Sequence, residues 1–160
     1  THSVCVGGST NVMASNCQYT FIGGGSNHSI GTLGNYNSIV GGDNNSTAAS
    51  ADYNSIGGGR DNVASEAAAD FYTTIAGGWN NLCSAVGATV TGGIDNQALA
   101  CYSPAVGRGA VTSQQHELVI GMVPRSVAGD RQTRILTLAN TTTSTTSVNL
   151  SDDGATDSGG

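Results

Sequence analysis

The 160-residue sequence contains no lysine, and charged residues make up only 10% of it, against roughly a quarter in ordinary soluble domains. The five basic residues are arginines scattered along the chain, and the formal net charge is -6. Because no basic stripe is present to neutralise phosphates, we expect no nucleic acid among the partners. The polar surface must come instead from Asn, Ser and Thr, which favour turns and stacked strands.

Long apolar runs are absent as well. No stretch of eighteen apolar residues occurs, so we expect no membrane insertion. The N-terminus, Thr1-His2-Ser3-Val4, has neither a Met nor a basic region followed by an apolar core, which indicates a processed, trimmed or partial chain.

The four cysteines form no Cys-x-x-Cys pair and identify no compartment. Buried free thiols are the default expectation for them. Cys83 and Cys101 are 18 residues apart, close to one repeat, so they are also candidates for stacked neighbours that oxidise if the geometry suits.

Glycine is abundant, at 24 residues, and it marks a tandem repeat. Successive Gly-Gly pairs are separated by 17, 17, 17, 19, 15 and 15 residues. Such a short period is typical of a solenoid, in which a coil buries its apolar face only against its neighbours. The sequence therefore predicts an all-β solenoid of about 17-residue coils. The pairs begin at Gly7, Gly24, Gly41, Gly58, Gly77 and Gly92, with a degenerate seventh at Gly107-Arg108.

Two columns of residues repeat with the glycine pairs and predict how each coil is built. Four positions after the first Gly comes an Asn ladder, in which stacked amides bond from coil to coil at corners where the backbone needs positive φ. Two positions before the first Gly comes an apolar column that is expected to fill the core. The ladder comprises Asn11, Asn45, Asn62, Asn81 and Asn96, with His28 substituting in one coil, and the apolar column comprises Cys5, Ile22, Ile39, Ile56, Ile75, Val90 and Ala105.

A second short strand is predicted six to seven positions past the pair, which gives each coil two strands and two corners. Its members are Met13-Ala14, Ile30-Gly31, Thr47-Ala48, Ala64-Ser65, Cys83-Ser84 and Ala98-Leu99.

All five tyrosines of the chain fall in one further column, five positions before the glycine pair. Their odd offset from the Ile column predicts that the two columns lie on opposite faces of an extended strand. A stacked aromatic stripe is costly to leave in water, and so small a coil has only a thin core, so we expect lateral association with partner chains. The stripe comprises Tyr19, Tyr36, Tyr53, Tyr72 and Tyr102, and only His2 and Gly87 break the series.

Segments such as Tyr36-Asn37-Ser38-Ile39-Val40-Gly41-Gly42-Asp43-Asn44-Asn45 resemble the head repeats of trimeric autotransporter adhesins and, more closely, the similar repeats of bacteriophage tail fibres. The resemblance covers about residues 1–111. It implies a left-handed parallel β-roll, three chains side by side in a homotrimer, and a rigid stalk or receptor-binding head on a virion or an extracellular surface. The drift of the period away from 17 favours the phage-fibre branch.

The sequence divides into three segments. Residues 1–111 form the predicted β-roll, and residues 112–150 are predicted to be a β-strand extension intertwined with partner chains. Residues 151–160 are predicted to be a flexible end.

The variable column two positions after the first Gly offers the candidate binding residues. Trp79, Ile94 and Arg60 stand in it on an otherwise polar rim, where an aromatic residue is suited to contact a surface glycan or a protein receptor. The alternative is that Trp79 only caps an irregular coil.

Catalytic and metal sites find little support in the sequence. Three histidines share no zinc motif, and the Asp residues lack the spacing of calcium-binding repeats, so no metal or cofactor is predicted. A glycosidase needs two carboxylates that face each other across the substrate. The candidates are Glu66 and Asp70 in one coil and Asp52 one coil earlier, a pattern more typical of a solvated acidic edge. We therefore expect no enzyme.

The resemblance thus implies a phage or virus fibre component that contacts the host surface and other virion proteins. A bacterial trimeric adhesin head is the alternative, and a polysaccharide-degrading tailspike is the third possibility.

Overall fold

The computed structural model describes residues 2–64, 72–122 and 132–136. These residues form sixteen strands and no helix, and none of them therefore belongs to a helix long and apolar enough to cross a membrane. The predicted all-β class is confirmed. In chain order the strands are β1 (Val4–Cys5), β2 (Val12–Met13), β3 (Phe21–Ile22), β4 (Ser29–Ile30), β5 (Ser38–Ile39), β6 (Ser46–Thr47), β7 (Ser55–Ile56), β8 (Val63–Ala64), β9 (Thr74–Ile75), β10 (Leu82–Cys83), β11 (Thr89–Ile94), β12 (Gln97–Ala98), β13 (Pro104–Arg108), β14 (Val111–Thr112), β15 (Glu117–Met122) and β16 (Gln132–Leu136).

The strands alternate between two sheets. The odd-numbered strands from β1 to β15 lie side by side in one sheet, with β16 added at its end, and the even-numbered strands from β2 to β14 form the second. Each strand pairs in parallel with the equivalent strand of the next coil, whereas β16 pairs with β15 antiparallel. The chain is therefore a parallel β-solenoid of about seven coils, as the repeat predicted.

The apolar column fills the space between the sheets. Its members pair with one another along the first sheet, so that Ile56 lies opposite Ile75, and Ile75 opposite Val90. The strands stay in this register although the glycine spacing changes from 17 to 19 to 15. The side chains from Ile22 to Ala105 in this column are completely buried.

Three details differ from the sequence prediction. The strands of the second sheet begin one residue earlier than predicted, as Val12–Met13 shows. Cys5 belongs to the apolar column but is exposed, because it lies on β1, which pairs only with β3 among the described residues. Cys83 lies opposite Ala98 rather than Cys101, so the two thiols are not stacked neighbours, and both are free.

Parallel pairing continues past the last Gly-Gly register. β14 and β15 pair with β12 and β13, so coils extend to Met122. Of the segment predicted as a strand extension, 112–150, residues 123–131 and 137–150 lie outside the described residues, as does the predicted flexible end at 151–160.

Candidate functional site

The Asn ladder runs through one corner of the solenoid and joins successive coils. The backbone N–H of Asn62 donates to Oδ1 of Asn45 at 3.0 Å, and the same contact recurs from Asn81 to Asn62 and from Asn96 to Asn81. The Nδ2 group of Asn45 donates to the carbonyl oxygens of Gly41 and Gly59, at 3.0 Å each. Each ladder amide thus satisfies backbone groups of its own coil and of the next, which is why Asn recurs there.

The second glycine of each pair leaves room for this ladder. Gly42 has φ of +99°, and a Cβ atom there would overlap the carbonyl oxygen of Gly59 and come within 2.8 Å of Nδ2 of Asn45. Gly41, its neighbour, has open space at the equivalent position. The repeated Gly-Gly-x-x-Asn signature is therefore a packing requirement of the corner.

His28 occupies one ladder position with a different side chain. It is completely buried, and its Nδ1 accepts the N–H of Asn45 at 3.2 Å, which places the ring proton on Nε2. Nε2 is buried and has no hydrogen-bond partner. His28 thus continues the ladder on one side but does not reproduce the Nδ2 contacts of an Asn.

A second interior column of polar side chains was not predicted from the sequence. Asn37 and Asn54 are buried, and Oδ1 of Asn37 accepts the N–H of Asn54 at 2.8 Å. Oδ1 of Asn54 in turn accepts both the N–H and the hydroxyl of Thr73, the latter at 2.6 Å. In the sequence, this column is the position directly after each tyrosine. The residue type at that position changes from coil to coil, so the repeat did not reveal it. The other buried polar members are Thr20, Ser103 and Glu117.

The tyrosine stripe lies at a turn and not on a strand, so the predicted strand alternation does not apply to it. Tyr19, Tyr36, Tyr53 and Tyr102 have φ between 55° and 58°, in the left-handed region that non-glycine residues seldom adopt. Their rings project outward, and the five tyrosines are 41% to 59% exposed. The turn conformation, rather than the pleat, separates the Tyr column from the buried Ile column.

The rings stack face to face along the solenoid. Tyr36 and Tyr53 have centroids 4.7 Å apart and planes within 1° of parallel, and Tyr19 and Tyr72 continue the stack at 5.0 Å on either side. These distances match the spacing of neighbouring strands, about 4.8 Å. Two histidines also belong to the stack, since His2 stacks on Tyr19 and His116 on Tyr102, at centroid distances of 5.4 and 5.5 Å.

Gly87 interrupts the stripe between Tyr72 and Tyr102. It takes the same left-handed turn, with φ of +63°, and a Cβ atom there would meet the Tyr102 ring at 2.6 Å. The ring of Tyr102 therefore lies over the glycine. The stripe consists of a longer stack from His2 to Tyr72 and a shorter one of Tyr102 and His116.

The variable column forms a third ladder at the corner next to the glycine pairs. Its backbone makes isolated parallel bridges from Ser9 through Asp43 to Ile94, so it stacks although its side chains differ. Arg60 bridges to Trp79 and Trp79 to Ile94, which brings the three candidate contact residues together in consecutive coils. Trp79 is 37% exposed, and Ile94 is half-buried.

Hydrogen bonds fix the side chains around Trp79. Its Nε1–H donates to Oδ2 of Asp61 at 3.1 Å. Arg60 lies between two carboxylates, with Nε 3.2 Å from Asp61 and 3.8 Å from Asp43. The hydrogen bonds from Asn44 and Trp79, followed by the charge of Arg60, hold the pKa of the Asp61 carboxyl below its ordinary value.

Asp43 is stabilised as an anion in the same way. Its Oδ1 accepts the Ser26 hydroxyl at 2.7 Å and Nδ2 of Asn27 at 3.2 Å. These two bonds, with a smaller contribution from Arg60, hold the pKa of Asp43 below its ordinary value. Both carboxylates are therefore ionised at neutral pH, and the corner carries more negative than positive charge.

Of the three carboxylates considered for catalysis, Asp52 alone lies among the described residues. Oδ1 of Asp52 accepts the N–H of Asn35 at 2.6 Å, a contact between coils, while Glu66 and Asp70 lie outside the described residues. Within residues 2–64, 72–122 and 132–136, no group of three His, Cys, Asp or Glu side chains is placed to hold a metal ion.

The thiol of Cys83 faces the core. Cys83 is completely buried, and burial raises its pKa to about 12. A thiol with so high a pKa is protonated at neutral pH and is a poor nucleophile. Cys83 therefore serves as a small apolar side chain in the second sheet.

The sequence matches no protein-family model and shows no significant similarity to a curated protein.

Proposed function

We propose that the chain is a structural and receptor-binding component of a phage or virus tail fibre, that it mediates attachment to the host surface, and that it works as a homotrimer of parallel chains. The tyrosine stripe is the observation that carries this proposal. Four stacked rings run about 15 Å along a solenoid whose coils are joined by buried amide ladders. A solenoid with a stacked aromatic stripe parallel to its axis is suited to side-by-side assembly about a parallel axis.

The conformation of the tyrosines supports a role beyond folding. Left-handed backbone costs a non-glycine residue roughly 1 kcal/mol, and Gly or Asn would occupy the turn more easily. The chain nevertheless places Tyr there at Tyr19, Tyr36 and Tyr53 in consecutive coils. Since the rings add little to the core, their retention at this cost favours a use on the outer surface.

The stripe is large enough to contribute much of the free energy that assembly requires. A buried Tyr removes roughly 200 Å² from water, and these rings are about half exposed, so each has about 100 Å² left to bury. At ~25 cal/mol per Å² this is about 2.5 kcal/mol per ring, or about 10 kcal/mol for four rings. That value is within the range of the ~4–15 kcal/mol that association costs, so the stripe holds chains together when other contacts contribute.

Light scattering tests the oligomer. We expect a mass three times the 15.9 kDa of the chain. The double variant Tyr36→Asn and Tyr53→Asn removes two rings while keeping a residue that tolerates the turn, so it is expected to dissociate without unfolding. The matched pair Tyr36→Phe and Tyr53→Phe keeps the rings and the trimer. A wild-type mass of 15.9 kDa contradicts the proposed assembly.

Immunogold electron microscopy of the virions or cells that produce the chain tests the fibre role. Label on projecting fibres is expected. Label on a bacterial surface without virions identifies the adhesin alternative, and label inside a capsid or a cell contradicts attachment altogether.

A further inference from the structure

The corner site, which consists of Arg60, Asp61, Trp79 and Ile94, lies away from the tyrosine stripe and presents an aromatic side chain beside charged groups. We propose that this corner site binds uncharged carbohydrate on the host surface, through stacking of sugar rings on Trp79 and hydrogen bonds from sugar hydroxyls to the flanking carboxylates. The inference rests on the proposed attachment function and adds the chemical class of the receptor.

Trp79 is held in place before any ligand arrives. Its Nε1–H is fixed by Asp61 at 3.1 Å, and its backbone bridges to Arg60 and Ile94 in the neighbouring coils. More than a third of the residue is nonetheless exposed. A rigid aromatic residue binds with little loss of side-chain entropy, and its π face attracts the C–H groups of a pyranose ring.

Hydrogen-bonding groups surround the indole at the spacing of the coils. Asp61 lies one coil before Trp79 and accepts its indole N–H. The exposed Asn80, next to Trp79 in the sequence, donates through Nδ2 to Oδ1 of the half-buried Asp95 in the following coil at 2.8 Å. A carboxylate accepts up to four hydrogen bonds, so Asp61 and Asp95 retain acceptor capacity beyond the bonds they already accept. Sugar hydroxyls are donors suited to these acceptors.

The charge of the corner site selects among sugars. Asp61 in the site and its neighbours Asp43 and Asp95 contribute three carboxylates, against the single guanidinium of Arg60, which already contacts Asp43 and Asp61. The whole chain carries a formal charge of -6 and no lysine. Sialic and uronic acids would be repelled, since like charges brought together are destabilising. Uncharged hexose chains meet no such penalty.

Trp79 is the only tryptophan of the chain, so its fluorescence reports on the corner site alone. The intact protein is titrated with neutral hexasaccharides of glucose, mannose and galactose, and with a galacturonate hexamer as the acidic probe. A saturable change in emission at about 1 mM or below is expected with at least one neutral probe and not with the acidic one. The inference is overturned if no neutral probe changes the emission, or if the acidic probe binds as tightly as the neutral ones.

Calorimetry with the responding probe assigns the contact to residues. Trp79→Ala is expected to weaken binding by about tenfold or more. Asp61→Asn, which retains size but weakens the hold on the indole, is expected to weaken binding by a smaller factor while leaving the far-ultraviolet circular dichroism unchanged. Thr91→Ala, at an exposed residue of the first sheet, is the matched control and is expected to stay within about twofold. Unchanged binding by both Trp79→Ala and Asp61→Asn overturns the assignment.

Cell adsorption separates this inference from the proposed function. Labelled protein is added to host cells before and after periodate oxidation of their surface carbohydrate. Loss of adsorption after periodate is expected. Equal adsorption to both refutes the carbohydrate inference and leaves attachment intact, whereas no adsorption to untreated host cells refutes attachment itself.

Discussion

Replacing His28 with Asn is expected to make the protein more stable. His28 is completely buried, and its Nε2–H has no acceptor, whereas the Asn one coil later donates to two glycine carbonyls at 3.0 Å each. An unsatisfied buried donor costs ~1–3 kcal/mol. The amide has two carbons fewer than the imidazole, so the substitution loses about 1.6 kcal/mol of burial, and the second hydrogen bond of the amide contributes about 1 kcal/mol. The net gain for His28→Asn is therefore about 1 kcal/mol, or a Tm increase of ~2–4 °C for a chain of this size.

The reverse substitution one coil later is the matched control. Asn45→His removes the bonds from Nδ2 to the carbonyls of Gly41 and Gly59, so it is expected to destabilise the protein by ~1–3 kcal/mol. Both variants are compared with the wild type by urea denaturation at one protein concentration, because assembly makes stability depend on concentration. If His28→Asn fails to stabilise and Asn45→His has no effect, the ladder does not carry the energy assigned to it.

Three further predictions concern other parts of the solenoid. Gly42→Ala is expected to lower the free energy of unfolding by more than ~3 kcal/mol, because its Cβ would overlap a carbonyl of the next coil. Gly41→Ala, where space is open, is expected to lower it by less than ~1 kcal/mol in the same denaturation assay. Similar losses of stability for both variants would contradict the corner packing. At pH 8 a maleimide is expected to label the exposed Cys5 and to leave Cys83 unlabelled until the protein unfolds. Peptide mass spectrometry measures the labelling of each cysteine. Equal labelling rates would contradict the buried placement of Cys83. Because the pKa of Asp61 is lowered on folding, the wild type is expected to be more stable than Asp61→Asn at pH 7. This advantage is expected to shrink as the pH falls below about 4, and a difference that stays constant there would contradict the ionic origin.

The fold was predictable because one short signature contains several physical requirements. A glycine with positive φ, an amide that bonds forward and backward, and an apolar residue two positions before the pair recur together around Gly42, Asn45 and Ile39. These needs coincide only where coils stack in register, so the repeat alone predicts a solenoid.

The conformation of the tyrosine column was not predictable from the same pattern. A separation of three residues, as between Tyr36 and Ile39, fits a continuous strand as well as a strand that follows a turn. Bulky residues are seldom placed in left-handed turns, so the usual propensities favour the strand. Only the backbone itself shows that the turn comes between them.

The second polar column was missed for a different reason. Its members, such as Thr20, Asn54 and Glu117, share a position and a capacity to accept backbone hydrogen bonds but no residue type. When successive coils share a hydrogen-bonding role but not a residue type, a single sequence shows no repeat at that position. The requirement becomes apparent only when each buried N–H is matched to its acceptor.

The corner column shows how such a fold varies its surface side chains without losing its architecture. Backbone bridges hold the coils together there, while the side chains range from Ser26 to Arg60 to Trp79. The residue type cannot vary in this way in the Asn ladder or the Ile column. Both columns are buried, and the ladder amides are also hydrogen-bonded from coil to coil. Ser9→Trp, at an exposed position of the same column, should therefore be accepted with little change in the free energy of unfolding measured by urea denaturation, whereas Asn62→Trp should not fold. It follows that differences in specificity between proteins built on this repeat would be concentrated in the corner column.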